Sequence, residues 1–152
     1  INFHGGGFGW YTPIAGTRQK GFEARPIYYG MLMFAEAGAG QMVKNTLSER
    51  QPEDAVAAYS LKTESGLRTV VFNKSGVSAL RLVVDPGQKA ERATMLMLRG
   101  ASLDATSGVK LGDAAVDAHG EWRGAQRQNV SGKGGLFTLE LPAASAALVD
   151  FK

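Results

Sequence analysis

Hydrophobic and polar positions follow two different periods along this chain. Between Pro26 and Ala37 the apolar residues recur at helical spacing, with proline in the first turn and Gly38 directly after the last residue. We predict a helix over this stretch. A surface helix would carry polar side chains along one face, but Glu36 is the only charged residue here. The pattern therefore predicts a helix covered on most sides, by a sheet and by a second folded body.

Further along the chain, apolar and polar residues alternate with a period of two, and turn residues separate the alternating segments. The predicted strands are residues 41–47, 55–62, 67–73, 77–84, 93–99, 109–111, 115–116, 136–141 and 146–151. Such a series is typical of an antiparallel β-sandwich of the Greek-key type. The predicted fold class is therefore mainly β, a sandwich with one buried N-terminal helix.

Three shorter segments are predicted from their own residues. Residues 1–3 are expected to form a short apolar strand, and residues 16–21 a polar surface loop. Residues 73–76 are expected to form a turn, because asparagine and glycine tolerate positive φ angles.

Composition narrows the classes of function. The chain has 152 residues, of which 44% are hydrophobic and 20% charged, as in globular domains. Its net charge of +3 comes from Lys and Arg spread along the sequence, so nucleic acid is not a predicted partner. The apolar runs are too short for a predicted membrane span. Cysteine is absent, which excludes disulfides and thiolate metal sites and leaves the compartment open.

The start of the sequence leads to a further expectation. Ile1 opens directly into strand-like sequence, with neither an initiator Met nor the basic segment of a signal peptide. We therefore expect this sequence to be a piece of a longer protein.

Candidate catalytic residues are sparse. His4 and His119 are far apart and have no carboxylates at ligand spacing, so no metal site is predicted. His119 lies in a polar run that indicates an exposed hairpin. A glycosidase needs two carboxylates across one cleft, whereas the acids of this chain are expected mostly in turns or on solvent faces. Neither a cofactor nor catalysis by this chain alone is predicted.

Residues 4–11 combine a histidine, glycines interrupted by Phe8, and the adjacent aromatics Trp10 and Tyr11. A phosphate cradle is excluded, because no Lys, Ser or Thr follows at the required place and no helix starts there. Two interpretations stay open. The segment is either a connector whose aromatic rings fill a core, or a sugar subsite. In a subsite, aromatic faces stack on the sugar and glycine N–H groups bind a carboxylate.

Longer motifs occur at both ends of the chain. Residues 2–6 are NFHGG, residues 9–14 are GWYTPI and residues 25–34 are RPIYYGMLMF. Together they resemble the end of the catalytic barrel in glycoside hydrolase family 79, which contains β-glucuronidases and heparanases. Two later motifs, VVFNKS at residues 70–75 and LPAASAALV at residues 141–149, resemble the C-terminal β-sandwich of that family, as does GEW at 120–122.

The resemblance implies a division at residue 40. Residues 1–40 would be the last strand, loop and helix of a (β/α)8 catalytic barrel, and residues 41–152 the C-terminal β-sandwich domain. It also implies a retaining mechanism with two glutamates on barrel strands upstream of Ile1, so no catalytic residue is expected in this chain. The implied partners are the missing part of the barrel and a carbohydrate substrate containing uronic acid. A periplasmic or secreted location follows from the resemblance alone.

The resemblance also assigns substrate-binding residues. In the family, a glycine–tyrosine segment after the last barrel strand contacts the uronic acid carboxylate. Carried over, this contact falls on Gly9, with Tyr11 or Trp10 supplying the side chain. His4, at the C-terminal end of the strand, would point toward the active-site face.

Three functions are compared. The first is the C-terminal portion of a retaining hydrolase of β-glucuronides or uronic-acid polysaccharides, inactive alone. The second is a stand-alone carbohydrate-binding module, in which Trp10, Tyr11 and Trp122 form an exposed platform. The third is a purely structural sandwich. If the chain is produced alone, the apolar helix face is expected to drive self-association.

Overall fold

The computed structural model describes residues 12–47 and 55–152. In this part of the chain one helix and twelve strands form three layers, with the helix on the outer face of a large sheet and a small sheet on its inner face. The helix is α1 (Pro26–Ala37). The strands are β1 (Ile14–Thr17), β2 (Gly21–Ala24), β3 (Gln41–Val43), β4 (Val56–Thr63), β5 (Gly66–Asn73), β6 (Leu80–Val84), β7 (Ala93–Arg99), β8 (Lys110–Leu111), β9 (Gln128–Val130), β10 (Gly132–Lys133), β11 (Leu136–Leu141) and β12 (Ser145–Phe151). The predicted fold class, a mainly β antiparallel sandwich, is confirmed.

Strand order brings distant parts of the chain together. The large sheet runs β3-β4-β5-β12-β7-β8, and β9 also pairs with β7. The small sheet runs β10-β11-β6, and β1 pairs with β2 in a separate hairpin. All of these pairs are antiparallel. Strand β12 therefore lies at the centre of the large sheet, hydrogen-bonded to β5 on one side and β7 on the other.

Strand β12 is buried along its whole length, because both faces of the large sheet are covered there. Ala147, Val149 and Phe151 face the small sheet and join the main sandwich core. Ala146 and Leu148, at the alternate positions, join a second core beneath α1. A strand covered on both faces is apolar at successive positions, as residues 146–149 are here.

Helix α1 packs on the large sheet through Tyr29, Met33 and Ala37. It begins at Pro26 and ends before Gly38, as predicted. The φ of Gly38 is +70°, and its N–H donates to the carbonyl oxygens of the last turn. The expectation that the helix is covered on most sides is not met by the described residues, since only the face toward the sheet is buried.

A charged cluster fixes the C-terminal end of α1 to the large sheet. The buried carboxylate of Asp150 accepts hydrogen bonds from Arg68 Nε at 2.6 Å and from an Arg127 nitrogen at 2.8 Å. Arg68 also donates to the backbone oxygens of Glu36 and Ala37, at 3.3 and 2.8 Å. A second nitrogen of Arg127 lies 2.8 Å from a Glu36 carboxylate oxygen. The helix and the sheet are thus held as one unit by charge as well as by apolar contact.

Several predicted boundaries are wrong for identifiable reasons. The predicted loop at residues 16–21 is the turn and flanks of the β1–β2 hairpin, whose pairing includes Gly16 with Phe22. The predicted strand at residues 41–47 stops at Val43, because the Asn45 side chain donates to Ala58 O at 2.8 Å where the ladder would have continued. Strands β9 and β10 were not predicted, since they are short, largely polar and paired through their backbones.

Asn73 joins the end of β5 to neighbouring segments through its side-chain amide. Its Nδ2 donates to the backbone oxygens of Ser78, Leu141 and Pro142 at 2.9, 3.2 and 2.8 Å. Its Oδ1 accepts the N–H of Ser75 at 3.1 Å. Asn73 does not have a positive φ, so the predicted reason for the turn is wrong. Hydrogen bonds of the Asn73 side chain to Ser75 and Ser78 hold the turn instead.

An Asn73→Ala substitution is expected to lower the free energy of unfolding by about 2 kcal/mol, because it leaves buried carbonyl oxygens without donors. Urea unfolding followed by circular dichroism measures the change. Asn45→Ala removes one exposed side-chain hydrogen bond and is the matched control, expected to cost about 0.5 kcal/mol. Equal losses in the two variants would contradict the role given to Asn73.

Candidate functional site

The substrate-binding residues expected from the resemblance lie outside the described part of the chain. These are His4, Gly9, Trp10 and Tyr11. Their roles, like the strand expected at residues 1–3, therefore stay predictions. The structure does describe the residues into which this segment runs.

The chain that follows residue 11 passes beside the N-terminal end of α1. Thr12 is buried, and its hydroxyl donates to Ile14 O at 2.8 Å. The N–H of Arg25, the residue that precedes the helix, donates to Pro13 O at 2.8 Å. The first turn of α1 contains no acidic side chain, so none opposes the positive end of the helix dipole. The predicted carboxylate-binding segment thus leads directly to the N-terminal end of α1.

A groove opens beside this junction, with a volume of about 400 Å³. Three elements line it: the β1–β2 hairpin, the first turn of α1, and the segment of residues 116–122, which we call the tongue. The lining residues are Ile14, Phe22, Glu23, Ala24, Tyr28, Val116, Asp117, Ala118, His119 and Gly120. On the hairpin, Ile14, Phe22 and Ala24 share one face, because Ile14 pairs with Ala24 and alternate strand residues point the same way.

Several hydrogen bonds link residues within the tongue. Val116 pairs with Trp122 in an isolated bridge, and the N–H of Asp117 donates to Glu121 O at 2.9 Å. Asp117 Oδ1 accepts the N–H groups of His119 and Glu121, at 2.8 and 2.9 Å. The N–H of Glu121 is the main cause that holds the pKa of Asp117 below its ordinary value, with a smaller contribution from His119. The carboxylate therefore stays ionised at neutral pH.

Two further contacts attach the tongue to the rest of the molecule. The N–H of Val116 donates to the Tyr29 hydroxyl at 3.0 Å, which links the tongue to α1. The indole N–H of Trp122 donates to Leu111 O at 3.0 Å, and its ring packs on the core beneath the helix. Trp122 is therefore not a member of an exposed platform. His119 is exposed, as predicted.

The outer face of α1 is the second notable surface. Ile27 and Phe34 are 48% and 75% exposed, and Met31 between them is half-buried. We call these three residues the uncovered helix face. A continuous apolar face on a helix is unusual at a surface that remains in contact with water, and typically marks a contact with another body.

The buried carboxylate of Asp150 has a structural role. Asp150 was expected on a solvent face, but it is buried in the cluster with Arg68 and Arg127. Its position on an otherwise apolar strand was the sequence signal that could have shown this. No group of three or more His, Cys, Asp or Glu that could hold a metal ion occurs in residues 12–47 and 55–152. Within the same ranges, no helix is long and apolar enough to cross a membrane.

No family model matches the chain, and no curated protein matches it. Solved structures do. A 4-O-α-L-rhamnosyl-β-D-glucuronidase from Fusarium oxysporum 12S is similar with a TM-score of 0.70 and 15% identity, over 93% of this chain and 31% of that one. An α-L-arabinofuranosidase from Thermotoga maritima is similar with a TM-score of 0.68 and 15% identity, over 93% and 32%.

A glycoside hydrolase family 30 subfamily 8 xylanase from Clostridium acetobutylicum is similar with a TM-score of 0.61 and 16% identity, over 95% of this chain and 32% of that one. The chain therefore spans about a third of the length of each of these structures. At this identity the likeness is one of fold, and membership of family 79 stays a prediction. The chain has a fold that recurs as a part of larger glycoside hydrolases with different substrates.

Proposed function

We propose that this chain is the C-terminal portion of a retaining glycoside hydrolase that acts on β-glucuronides or polysaccharides containing uronic acid. In this proposal residues 1–40 complete a (β/α)8 catalytic barrel, and residues 41–152 form the sandwich beside it. The two catalytic glutamates lie on the part of the barrel that precedes residue 1. The chain contributes a carboxylate-binding loop and a structural support, and it is inactive alone.

The observation that carries the proposal is the uncovered helix face. Helix α1 is attached firmly to the large sheet on one side by Tyr29, Met33 and the cluster around Asp150. On its other side it presents Ile27 and Phe34 to solvent. A barrel helix between two domains needs apolar residues on both sides, because each side is buried against a different body. The pattern of α1 fits that position and does not fit a free surface.

The extent of the structural likeness supports the same conclusion. At least 93% of this chain superposes on each of the three glycosidases compared above, although it spans only about a third of each. A stand-alone carbohydrate-binding module would need no further body. The remaining two thirds of a homologous protein is the natural occupant of the uncovered helix face.

The choice of a uronic acid is supported by the resemblance and by the position of the loop. The motif that contains Gly9, Trp10 and Tyr11 resembles the carboxylate-binding segment of family 79. That motif leads into the N-terminal end of α1, whose first turn carries no acidic side chain. One of the compared enzymes is named as a glucuronidase, whereas the others are named for arabinose or xylan.

The proposal predicts that the full-length gene product hydrolyses a chromogenic β-glucuronide, whereas the 152-residue chain shows no turnover above the uncatalysed rate. Both proteins would be assayed with the β-glucuronide, the α-L-arabinofuranoside and the β-xyloside of p-nitrophenol. Turnover by the isolated chain, or a gene without a barrel upstream, would overturn the proposal. Hydrolysis of only the arabinofuranoside or xyloside would keep the glycosidase assignment and overturn the uronic acid.

A further inference from the structure

We infer that the groove between the β1–β2 hairpin and the tongue binds a neutral pyranose unit, at a site separate from the predicted uronate-binding loop. The sandwich itself supplies one wall of this site. The inference does not require the part of the barrel that precedes residue 1, because every lining residue belongs to the described part of this chain.

The shape of the groove suits a single sugar ring. Its volume of about 400 Å³ lies in the range of small-molecule sites, which is about 300–1,000 Å³. Phe22 is 52% exposed on the apolar face of the hairpin, and Tyr28 lies on the first turn of α1. Aromatic faces of this kind contact the C–H groups of a pyranose, while its hydroxyl groups remain available for hydrogen bonds.

Polar groups for those hydroxyls come from the tongue. Asp117 and His119 both line the groove. The Asp117 carboxylate is oriented by two backbone N–H groups, and the tongue is anchored to α1 through Val116 and Tyr29. A polar group that is already held in place loses little entropy when a ligand binds. The groove therefore offers an apolar wall and a rigid polar wall facing the same space.

The charge of the lining selects between sugars. Glu23 and Asp117 are both acidic, and no Lys or Arg is among the groove residues that the structure describes. Arg123 lies close enough to influence Asp117 but is paired with Glu121 at 2.6 Å. A uronate would bring a third carboxylate to this surface, so like-charge repulsion disfavours it. The site thus has the opposite preference from the carboxylate-binding loop proposed above.

Backbone amide NMR of the 152-residue chain tests the inference. Methyl β-D-glucopyranoside is expected to shift the amide signals of residues 22–24 and 116–120, and methyl β-D-glucuronide to bind at least threefold more weakly. Phe22→Ala is expected to weaken binding of the neutral sugar about threefold to tenfold, which is the effect of losing one aromatic contact. Tyr59→Ala is the matched control, because Tyr59 is similarly exposed at 55% and lies on β4, outside the groove. The Tyr59→Ala variant should bind the sugar with the same affinity as the unchanged chain.

Three results would overturn the inference: no shifts at the groove up to the solubility limit of the neutral sugar, equal or tighter binding of the glucuronide there, or unchanged binding in Phe22→Ala. None of these depends on hydrolysis. If the full-length protein cleaves a β-glucuronide but the groove gives no shifts, the proposed function stands and the groove assignment fails. If the groove gives shifts but the full-length protein has no glycosidase activity, the groove assignment stands and the proposed function fails.

Discussion

A Phe34→Asp substitution is expected to leave the 152-residue chain folded and to lower hydrolysis by the full-length protein at least tenfold. Phe34 is 75% exposed in this chain, so a charge there stays solvated. A carboxylate in the last turn of α1 opposes the helix dipole, so we expect the free energy of unfolding to fall by about 1 kcal/mol at most. Against a barrel, the same side chain would be buried, and an unpaired carboxylate would oppose docking. A loss of about 1.4 kcal/mol in correctly docked protein corresponds to the tenfold effect. Steady-state hydrolysis of the fastest chromogenic substrate measures it.

Val83→Asp is the matched control for this experiment. Val83 is 64% exposed on β6 of the small sheet, on the opposite side of the sandwich from α1. The Val83→Asp variant is expected to fold normally and to keep full activity. Light scattering adds a second readout, because Phe34→Asp should also reduce self-association of the isolated chain. Full activity in Phe34→Asp would mean that the uncovered helix face does not contact the catalytic body.

Asp150→Ala is expected to lower the free energy of unfolding by about 3 kcal/mol. The substitution leaves the guanidinium groups of Arg68 and Arg127 without their shared carboxylate, and breaking a buried ion pair from one side costs about 3–5 kcal/mol. The lower end of that range applies because both arginines are partly exposed. Urea unfolding of the isolated chain measures the change.

Glu140→Ala provides the comparison for Asp150→Ala. Glu140 faces Arg81 at 4.0 Å, and both side chains are largely exposed. Pairs of this kind contribute about 0–1 kcal/mol, so we expect the loss to stay below about 0.5 kcal/mol. If the two variants lose similar stability, the cluster around Asp150 does not fix α1 to the sheet.

The fold could be predicted wherever burial of one face leaves a periodic pattern. Strand β11 alternates between buried and less buried positions, and its predicted bounds of residues 136–141 agree with the structure. Helix α1 was predicted for the same reason, from its spacing and from Gly38 at its end. Strands β9 and β10 carry no such pattern, because backbone pairing at a sheet edge does not require apolar side chains.

The surroundings of individual charges and of the groove could not be predicted in this way. Arg68 and Asp150 are 82 positions apart, and only the pairing of β5 with β12 makes them neighbours. Similarly, Tyr28 and His119 line one groove although nothing in their local sequences relates them. Contacts between distant segments depend on strand order, which alternation alone does not determine.

The central position of β12 has a consequence for how the protein is made. Strand β12 is the last described strand along the chain, yet it separates β5 from β7 in the large sheet. While the chain is being synthesised, β5 and β7 therefore emerge from the ribosome with unpaired edges and must wait for residues 145–151. Such edges are prone to pair with other chains. Residues 145–151 thus complete the large sheet, and nascent chains that stop before them would be candidates for chaperone binding or degradation.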